Sequence, residues 1–129
     1  MINNGTFFAP QLFIPNGTQS IAFYKNAFGA RENFCLRNED NSIHVAELEI
    51  DGALFHLHEV TQKGLTSPEA LGATTVIIGL FVEDVQIVMD AALDAGAELI
   101  QPVTDFDYGY RQGEIIDPFG HRWLIEKKI

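Results

Sequence analysis

The sequence contains a single cysteine, Cys35, and no apolar stretch long enough to cross a bilayer. One cysteine excludes an internal disulfide and indicates a reducing compartment. The N-terminus also lacks a basic segment followed by a long apolar run, which is the pattern of a targeting segment. These absences predict a cytoplasmic protein that does not insert into a membrane.

Positive charge is scarce as well. The 129 residues include 8 Lys and Arg against 18 Asp and Glu, which gives a net charge of −10. Binding to nucleic acid or to an anionic lipid surface requires clustered Lys and Arg, so the composition excludes both partners. The length fits one domain, residues 1–129, and the 47% hydrophobic content is typical of a globular protein. Ten phenylalanines indicate an aromatic core or cavity wall.

What the chain does contain is an internal repeat. Residues 12–14 (Leu-Phe-Ile) are matched 68 positions later by residues 80–82 (Leu-Phe-Val). A helical pattern follows each segment and ends at a Gly-Ala pair, with an offset of 67 between the two copies. The offset returns to 68 at Gly52 and Gly120. Matches in register over half of the chain indicate two copies of one structural unit.

Each unit is predicted to fold as β-α-β-β-β, which makes the protein an α+β domain built from two βαβββ modules. Module 1 spans about 7–60 and module 2 about 74–128, and a surface linker rich in Gly, Ser, Thr and Pro occupies 61–73. The predicted helices are 18–28 and 85–95, and the predicted strands are 7–15, 31–38, 43–51, 53–60, 74–83, 98–103, 111–117 and 121–127.

Three segments resemble a known family. Residues 21–30, Ile-Ala-Phe-Tyr-Lys-Asn-Ala-Phe-Gly-Ala, are similar to the first helix of the PhnB-like branch of the vicinal oxygen chelate (glyoxalase/bleomycin resistance protein/dioxygenase) superfamily. Residues 117–123, Asp-Pro-Phe-Gly-His-Arg-Trp, resemble the closing turn and strand of that branch, and residues 108–113 resemble the segment before it. The resemblance implies two modules that form a curved sheet around a cavity, commonly in a homodimer. It does not name a function, because members include lyases, isomerases, dioxygenases and non-catalytic drug-binding proteins.

Metal-binding members of that superfamily use four ligands, one on the first and one on the last strand of each module. The corresponding positions in this chain are Ala9, His56, Ile77 and Leu124. A catalytic divalent metal needs about three imidazole or carboxylate ligands. One imidazole and three apolar side chains therefore predict a protein without a catalytic metal or other cofactor.

The alternative is a divalent metal at a site shifted by two residues along the strands, which keeps the same strand face. Such a site consists of Gln11, His56, His58 and Glu126.

Alternation along the strands assigns each side chain to one of two faces. The inward set, which the resemblance places around the cavity, comprises Ala9, Gln11, Phe13, Leu54, His56, His58, Ile77, Gly79, Phe81, Arg122, Leu124 and Glu126. The outward set comprises Leu12, Ile14, Phe55, Leu57, Ile78, Leu80, Trp123 and Ile125. Because the outward set is entirely apolar, we expect it to pack under the helices.

His56 and His58 are the best candidates for catalysis, because two imidazoles on one inward face can bind a polar ligand or act as a general base. The alternative is that they only hydrogen-bond within the cavity wall. Gln11 and Glu126 belong to the same predicted ligand-binding set. Of the remaining histidines, His44 is expected in the core.

Tyr108, Tyr110 and Arg111 complete the predicted ligand-binding set, on an aromatic and basic loop beside the cavity mouth. There the guanidinium of Arg111 is suited to clamp a carboxylate or phosphonate. The alternative is that Arg111 pairs with Asp107 or Asp117 and fixes the loop. His121 is expected to brace the turn to which it belongs.

Three functions follow from these residues. The first is a small-molecule-binding protein that uses its cavity without a metal. The second is a metal-dependent lyase, isomerase or dioxygenase with the shifted site, and the third is a metal-free enzyme with His56 or His58 as its base. The sequence does not decide whether the protein is an enzyme.

Overall fold

The computed structural model describes residues 5–129, and in this part of the chain it contains two four-stranded sheets and three helices. Sheet A consists of β1 (Gln11–Ile14), β2 (Arg31–Arg37), β3 (Ile43–Ile50) and β4 (Ala53–Glu59). Sheet B consists of β5 (Ile77–Phe81), β6 (Glu98–Phe106), β7 (Tyr110–Ile116) and β8 (Arg122–Lys128). The helices are α1 (Ala22–Phe28), α2 (Pro68–Leu71) and α3 (Val85–Asp94). The predicted α+β fold with two βαβββ units is confirmed.

The two sheets have the same topology. The strand order is β1-β4-β3-β2 in sheet A and β5-β8-β7-β6 in sheet B. In each sheet the first strand pairs in parallel with the last, and the other pairs are antiparallel. The first and last strands of each unit therefore lie side by side, so that their inward side chains are neighbours.

Several element boundaries differ from the prediction. Helix α1 begins at Ala22 rather than at 18, because residues 15–18 form a turn in which the Thr18 hydroxyl donates to the Pro15 carbonyl at 2.7 Å. Gly17 in this turn has φ of 87°, which a residue with a side chain rarely adopts. Strand β1 is likewise shorter than 7–15, and β6 continues to Phe106 instead of ending at 103.

The linker at 61–73 is not entirely irregular, because it contains α2. Ser67 is its N-cap and accepts a hydrogen bond from the Ala70 backbone N–H at 3.3 Å, and Pro68 occupies the first helical position. A Ser-Pro pair at this position is a recognised signal for a helix start. The prediction overlooked it because the segment is short and rich in turn-forming residues.

The faces of the sheets agree with the predicted alternation. Among the outward residues, those on β1, β4 and β8 are at most 6% exposed: Leu12, Ile14, Phe55, Leu57, Trp123 and Ile125. Ile78 and Leu80 are partly buried and pack against the same core. This face of each sheet, which α1 and α3 cover, is called the helix-covered face below, and the opposite face is called the open face.

Aromatic rings join the two units in the core. The ring centroid of Trp123, on β8, lies 4.8 Å from that of Phe28 and 5.6 Å from that of Phe55, both of which belong to module 1. Tyr24 of α1 completes the group, with its centroid 5.4 Å from Phe55 and 6.0 Å from Trp123. Both sheets therefore share one core.

A buried carboxylate, Asp117, fixes this junction. It is 3% exposed and accepts hydrogen bonds from the Tyr24 hydroxyl at 2.5 Å and from the Trp123 indole N–H at 3.0 Å. The backbone N–H groups of Phe119 and His121 donate to its other oxygen. Burial, and then the charge and hydrogen bond of Asp117, raise the pKa of Tyr24 well above its ordinary value. Tyr24 therefore remains a proton-bearing donor at any physiological pH.

The sequence predicted that His121 braces its own turn, but its side chain instead connects the two units. Its side chain is buried, and its Nε2 donates to the backbone carbonyl of Phe13 across the junction at 2.8 Å. A carbonyl oxygen only accepts, so this nitrogen bears the proton.

None of the helices within residues 5–129 combines the length and the apolar character that crossing a bilayer demands.

Candidate functional site on the open faces of the sheets

The open face of sheet A brings Gln11, His56 and His58 together. The parallel pairing of β1 with β4 places Gln11 beside His56 and Phe13 beside His58. The antiparallel pairing of β4 with β3 adds Glu47 beside His56. The two imidazoles therefore lie on one face, two residues apart, with an amide and a carboxylate next to them.

The imidazole of His56 is held by a carboxylate. Its Nε2 lies 3.1 Å from Oε1 of Glu47, and the two side chains are 27% and 23% exposed. Glu47 also accepts from the Asn33 amide at 2.9 Å. The carboxylate orients the ring, and because it only accepts hydrogen bonds, Nε2 of His56 bears a proton and Nδ1 is the ring nitrogen left for a ligand.

His58 is arranged differently. Its Nδ1 donates to the backbone carbonyl of Glu59 at 2.6 Å. In the neutral ring, this hydrogen bond leaves Nε2 with a lone pair that is available as an acceptor or base. Its ring also makes edge contacts with Phe13 and with His44, at centroid distances of 6.1 Å and 5.0 Å. Each candidate histidine thus has one ring nitrogen bound to a protein oxygen and the other left for a ligand, Nδ1 in His56 and Nε2 in His58.

A polar cluster around Glu59 was not predicted. Glu59 is 9% exposed, and its carboxylate accepts hydrogen bonds from Asn38, His44 and Asn16 at 2.7–3.0 Å. These bonds, in that order, lower the pKa of Glu59. The sequence did contain a signal for this cluster. Glu59 follows Phe55 and Leu57 on the outward face, and a carboxylate in an otherwise apolar series indicates a buried polar contact. The cluster also corrects the expectation for His44, whose side chain is 41% exposed rather than in the core.

On sheet B the open face carries Tyr108, Tyr110 and Glu126 as one connected group. The Tyr108 hydroxyl donates to Oε1 of Gln112, and Nε2 of Gln112 donates to Oε1 of Glu126 at 2.8 Å. The rings of Tyr108 and Tyr110 have centroids 5.8 Å apart. Gln112, which links the tyrosine to the carboxylate, was not among the predicted site residues, although its position two residues from Tyr110 places it on the same face.

Arg111 does not join this group. It alternates with Tyr110 and Gln112 and so lies on the other side of β7, where Nε and Nη2 donate to the carboxylate of Asp105 at 2.6 Å and 3.1 Å. The expected structural alternative named Asp107 or Asp117, and the partner is instead Asp105, directly opposite on β6. This hydrogen-bonded pair lowers the pKa of Asp105 and raises that of Arg111.

Few metal-binding side chains occupy the ligand positions that the family resemblance implies. Ile77 and Leu124 occupy two of the four ligand positions and contain no donor atom. Among residues 5–129 there is no group of three or more His, Cys, Asp or Glu side chains placed to hold a metal. His56 and His58 lie on sheet A and Glu126 on sheet B, so the shifted ligand set is not assembled within these residues.

Comparisons with known proteins agree with this architecture. The uncharacterized protein Rv0887c of Mycobacterium tuberculosis is 35% identical over 133 residues, covering 99% of this chain and 78% of the relative. The crystal structure of the Arabidopsis thaliana gene product At5g48480 superimposes with a TM-score of 0.76 at 27% identity, covering 95% of this chain and 99% of the other.

A more distant likeness shows the fold alone. It is to the fosfomycin resistance protein FosX of Listeria monocytogenes, in a complex with Mn(II) and 1S,2S-dihydroxypropylphosphonic acid. Its TM-score is 0.65 at 15% identity, covering 99% of this chain and 93% of the other. The family model of the glyoxalase/bleomycin resistance protein/dioxygenase superfamily matches residues 7–125. With two βαβββ units and a family model that matches nearly all of its length, the chain belongs to this superfamily.

Proposed function

We propose that this protein binds a small organic molecule on the open faces of its sheets, without a catalytic metal. The observation that supports the proposal is the composition of these faces. They combine large exposed apolar side chains, such as Phe81 at 57% and Ile77 at 51%, with a few oriented polar groups. Ligand sites in proteins have this composition, in which apolar area supplies affinity and polar groups supply orientation. The polar groups are those of Gln11, His56, His58, Tyr108, Gln112 and Glu126.

A homodimer is part of this proposal. Apolar side chains are exposed on the open faces, and Phe7 and Phe8 just before β1 are 55% and 94% exposed. Large apolar side chains exposed to this extent are typical of a protein–protein interface. In sedimentation velocity at micromolar concentration we expect a species of twice the 14.3 kDa chain mass. A monomer under these conditions would contradict the dimer.

The ligand proposal predicts a specific effect of His56→Ala. Because one hydrogen bond to a ligand contributes about 0.5–1.5 kcal/mol, we expect the affinity for a ligand to fall roughly 3- to 10-fold. The melting temperature should change by no more than about 2 °C, since His56 is partly exposed and Glu47 keeps its bond with Asn33. The measurement is a titration of isotope-labelled protein, followed by backbone amide chemical shifts, with three probes of matched shape: benzylammonium, benzyl alcohol and phenylacetate.

Asn26→Ala is the control, because it truncates an exposed polar side chain on α1, away from the open face. We expect it to change the affinity of the best probe by less than twofold. If no probe shifts amides on β4 or β8, the proposed binding function is wrong. If His56→Ala lowers the melting temperature strongly and leaves the affinity unchanged, the histidine is structural.

The second candidate is a metal-dependent lyase, isomerase or dioxygenase that uses Gln11, His56, His58 and Glu126. What favours it is that Gln11 and His56 are direct neighbours on paired strands. It requires a second copy of the chain to bring Glu126 to the histidines. Metal analysis of untagged protein separates the candidates, because stoichiometric metal that is lost in His56→Ala would support the enzyme.

A further inference from the structure

Glu126 is a buried carboxylate that forms no ion pair within residues 5–129. It is 7% exposed, and the hydrogen bond that it receives comes from the neutral amide of Gln112, at 2.8 Å. Among residues 5–129, no Lys, Arg or His forms an ion pair with it. The other open-face carboxylates differ, because Glu47, Glu49 and Glu114 are paired with His56, Arg31 and Arg122. Burying an ionised carboxylate costs free energy unless a positive group compensates it.

The neighbouring strand makes room for this carboxylate. Gly79, on β5, faces Glu126, and a Cβ built on this glycine would lie 2.6 Å from Oε2 of Glu126. Gly79 does not have a positive φ, so no backbone conformation requires glycine at this position. The glycine therefore allows Oε2, the carboxylate oxygen that Gln112 does not contact, to lie against the backbone of β5.

Aromatic side chains lie on the strands next to Glu126 and on the loop before β7. Phe81 is the direct strand neighbour of Glu126, and its ring centroid lies 6.2 Å from that of Tyr110. Tyr108 and Phe106 continue the series, with centroids 5.2 Å apart. The faces of aromatic rings attract cations within about 6 Å of their centroids. A positive group bound here is therefore attracted both by the carboxylate and by the faces of the neighbouring rings.

Acidic residues near Phe81 and the negative net charge of the protein also favour a cation at this site. Phe81 also lines a groove of about 730 Å³, and three acidic residues, Asp51, Glu83 and Asp84, line the same groove. The net charge of −10 adds a negative potential over the whole protein. An anionic ligand at Glu126 would meet an uncompensated negative charge, so the site also discriminates against anions.

We infer that the open face of sheet B binds the ammonium group of an organic amine, with Glu126 as its counter-ion and Phe81 and Tyr110 against its apolar part. This inference rests on the proposed ligand-binding function and names its ligand class. The ammonium donates a hydrogen bond to Oε2 of Glu126, the carboxylate oxygen that Gln112 does not contact. The amine then compensates a charge for which residues 5–129 provide no counter-ion.

The test uses the same three probes, which differ in charge and little in shape. At 150 mM salt we expect benzylammonium to bind at least fivefold more tightly than benzyl alcohol, and phenylacetate to bind most weakly. Glu126→Gln keeps the shape and removes the charge, so it should reduce the preference for benzylammonium over benzyl alcohol to less than twofold. Glu39→Gln makes the same change of charge at an exposed position and should leave the preference intact.

A second variant keeps the charge and changes the geometry. Gly79→Ala introduces a methyl group where Oε2 of Glu126 now lies, so it should displace the carboxylate and weaken benzylammonium at least threefold. If benzyl alcohol or phenylacetate shifts open-face amides as strongly as benzylammonium, the amine assignment is overturned while the binding function stands. If Glu39→Gln and Glu126→Gln have the same effect, the preference comes from net charge and the site assignment is wrong. If none of the probes shifts open-face amides, both the function and the assignment fail.

Discussion

Replacing Asp117 by alanine is expected to lower the free energy of unfolding by roughly 3–5 kcal/mol, the range for removal of one member of a buried charged pair or network. The variant leaves the Tyr24 hydroxyl, the Trp123 indole N–H and two backbone N–H groups in the core without their acceptor. Each orphaned donor costs about 1–3 kcal/mol, and the costs overlap because the groups relax together. Chemical denaturation followed by Trp123 fluorescence measures the loss.

Two further variants make this result interpretable if Asp117→Ala does not fold. Asp107→Ala makes the same substitution at an exposed position and should change stability by less than about 0.5 kcal/mol. Tyr24→Phe removes only the hydroxyl and should cost about 1.5–3 kcal/mol, since its bond is to a charged group. A Tyr24→Phe variant as stable as the wild type would show that the hydroxyl does not contribute to the junction.

Trp123→Ala is expected to cost about 3–5 kcal/mol, because it leaves a large cavity that the surrounding side chains fill only in part. Trp123 is 2% exposed and contacts Phe28, Phe55 and Tyr24, so the cavity opens between the two units rather than within one sheet. At fixed protein concentration the melting temperature should fall by roughly 10 °C or more.

The control for this prediction is Tyr108→Ala, which removes an aromatic side chain that is 59% exposed. It should cost less than about 1 kcal/mol. Equal losses in the two variants would indicate that the junction of the two units contributes no more to stability than the surface does. The expected difference between them therefore measures the packing of the junction itself.

The sequence predicted the faces of the strands well, because alternation is a local property. Leu12, Leu57 and Ile125 are buried as the pattern indicated, and Gln11 stands beside His56 on the opposite face. Boundaries near turns were less accurate, as at Thr18, since a side chain that bonds a nearby carbonyl competes with the first helical turn.

Long-range polar contacts could not be predicted. Tyr24 and Asp117 are 93 positions apart, and their contact depends on how the two units dock. Asp105, Asp107 and Asp117 all lie close to Arg111 in the sequence. The pairing of β6 with β7 places Asp105 directly opposite Arg111, and the sequence alone does not reveal this register. For Glu126, the missing counter-ion becomes visible only when the ion pairs of its neighbours are known.

The hydrogen bond between Tyr24 and Asp117 also makes the two repeats different from each other, because each repeat supplies one of its two members. At the offset of 68 the counterpart of Asp117 is Glu49, which lies on the open face and pairs with Arg31 at 3.0 Å. At the helix offset of 67 the counterpart of Tyr24 is Ala91, which has no hydroxyl. Two copies of the first repeat would bury a tyrosine hydroxyl with no acceptor, and two copies of the second would bury a carboxylate with one donor fewer. The repeats have therefore become complementary halves, and neither can replace the other.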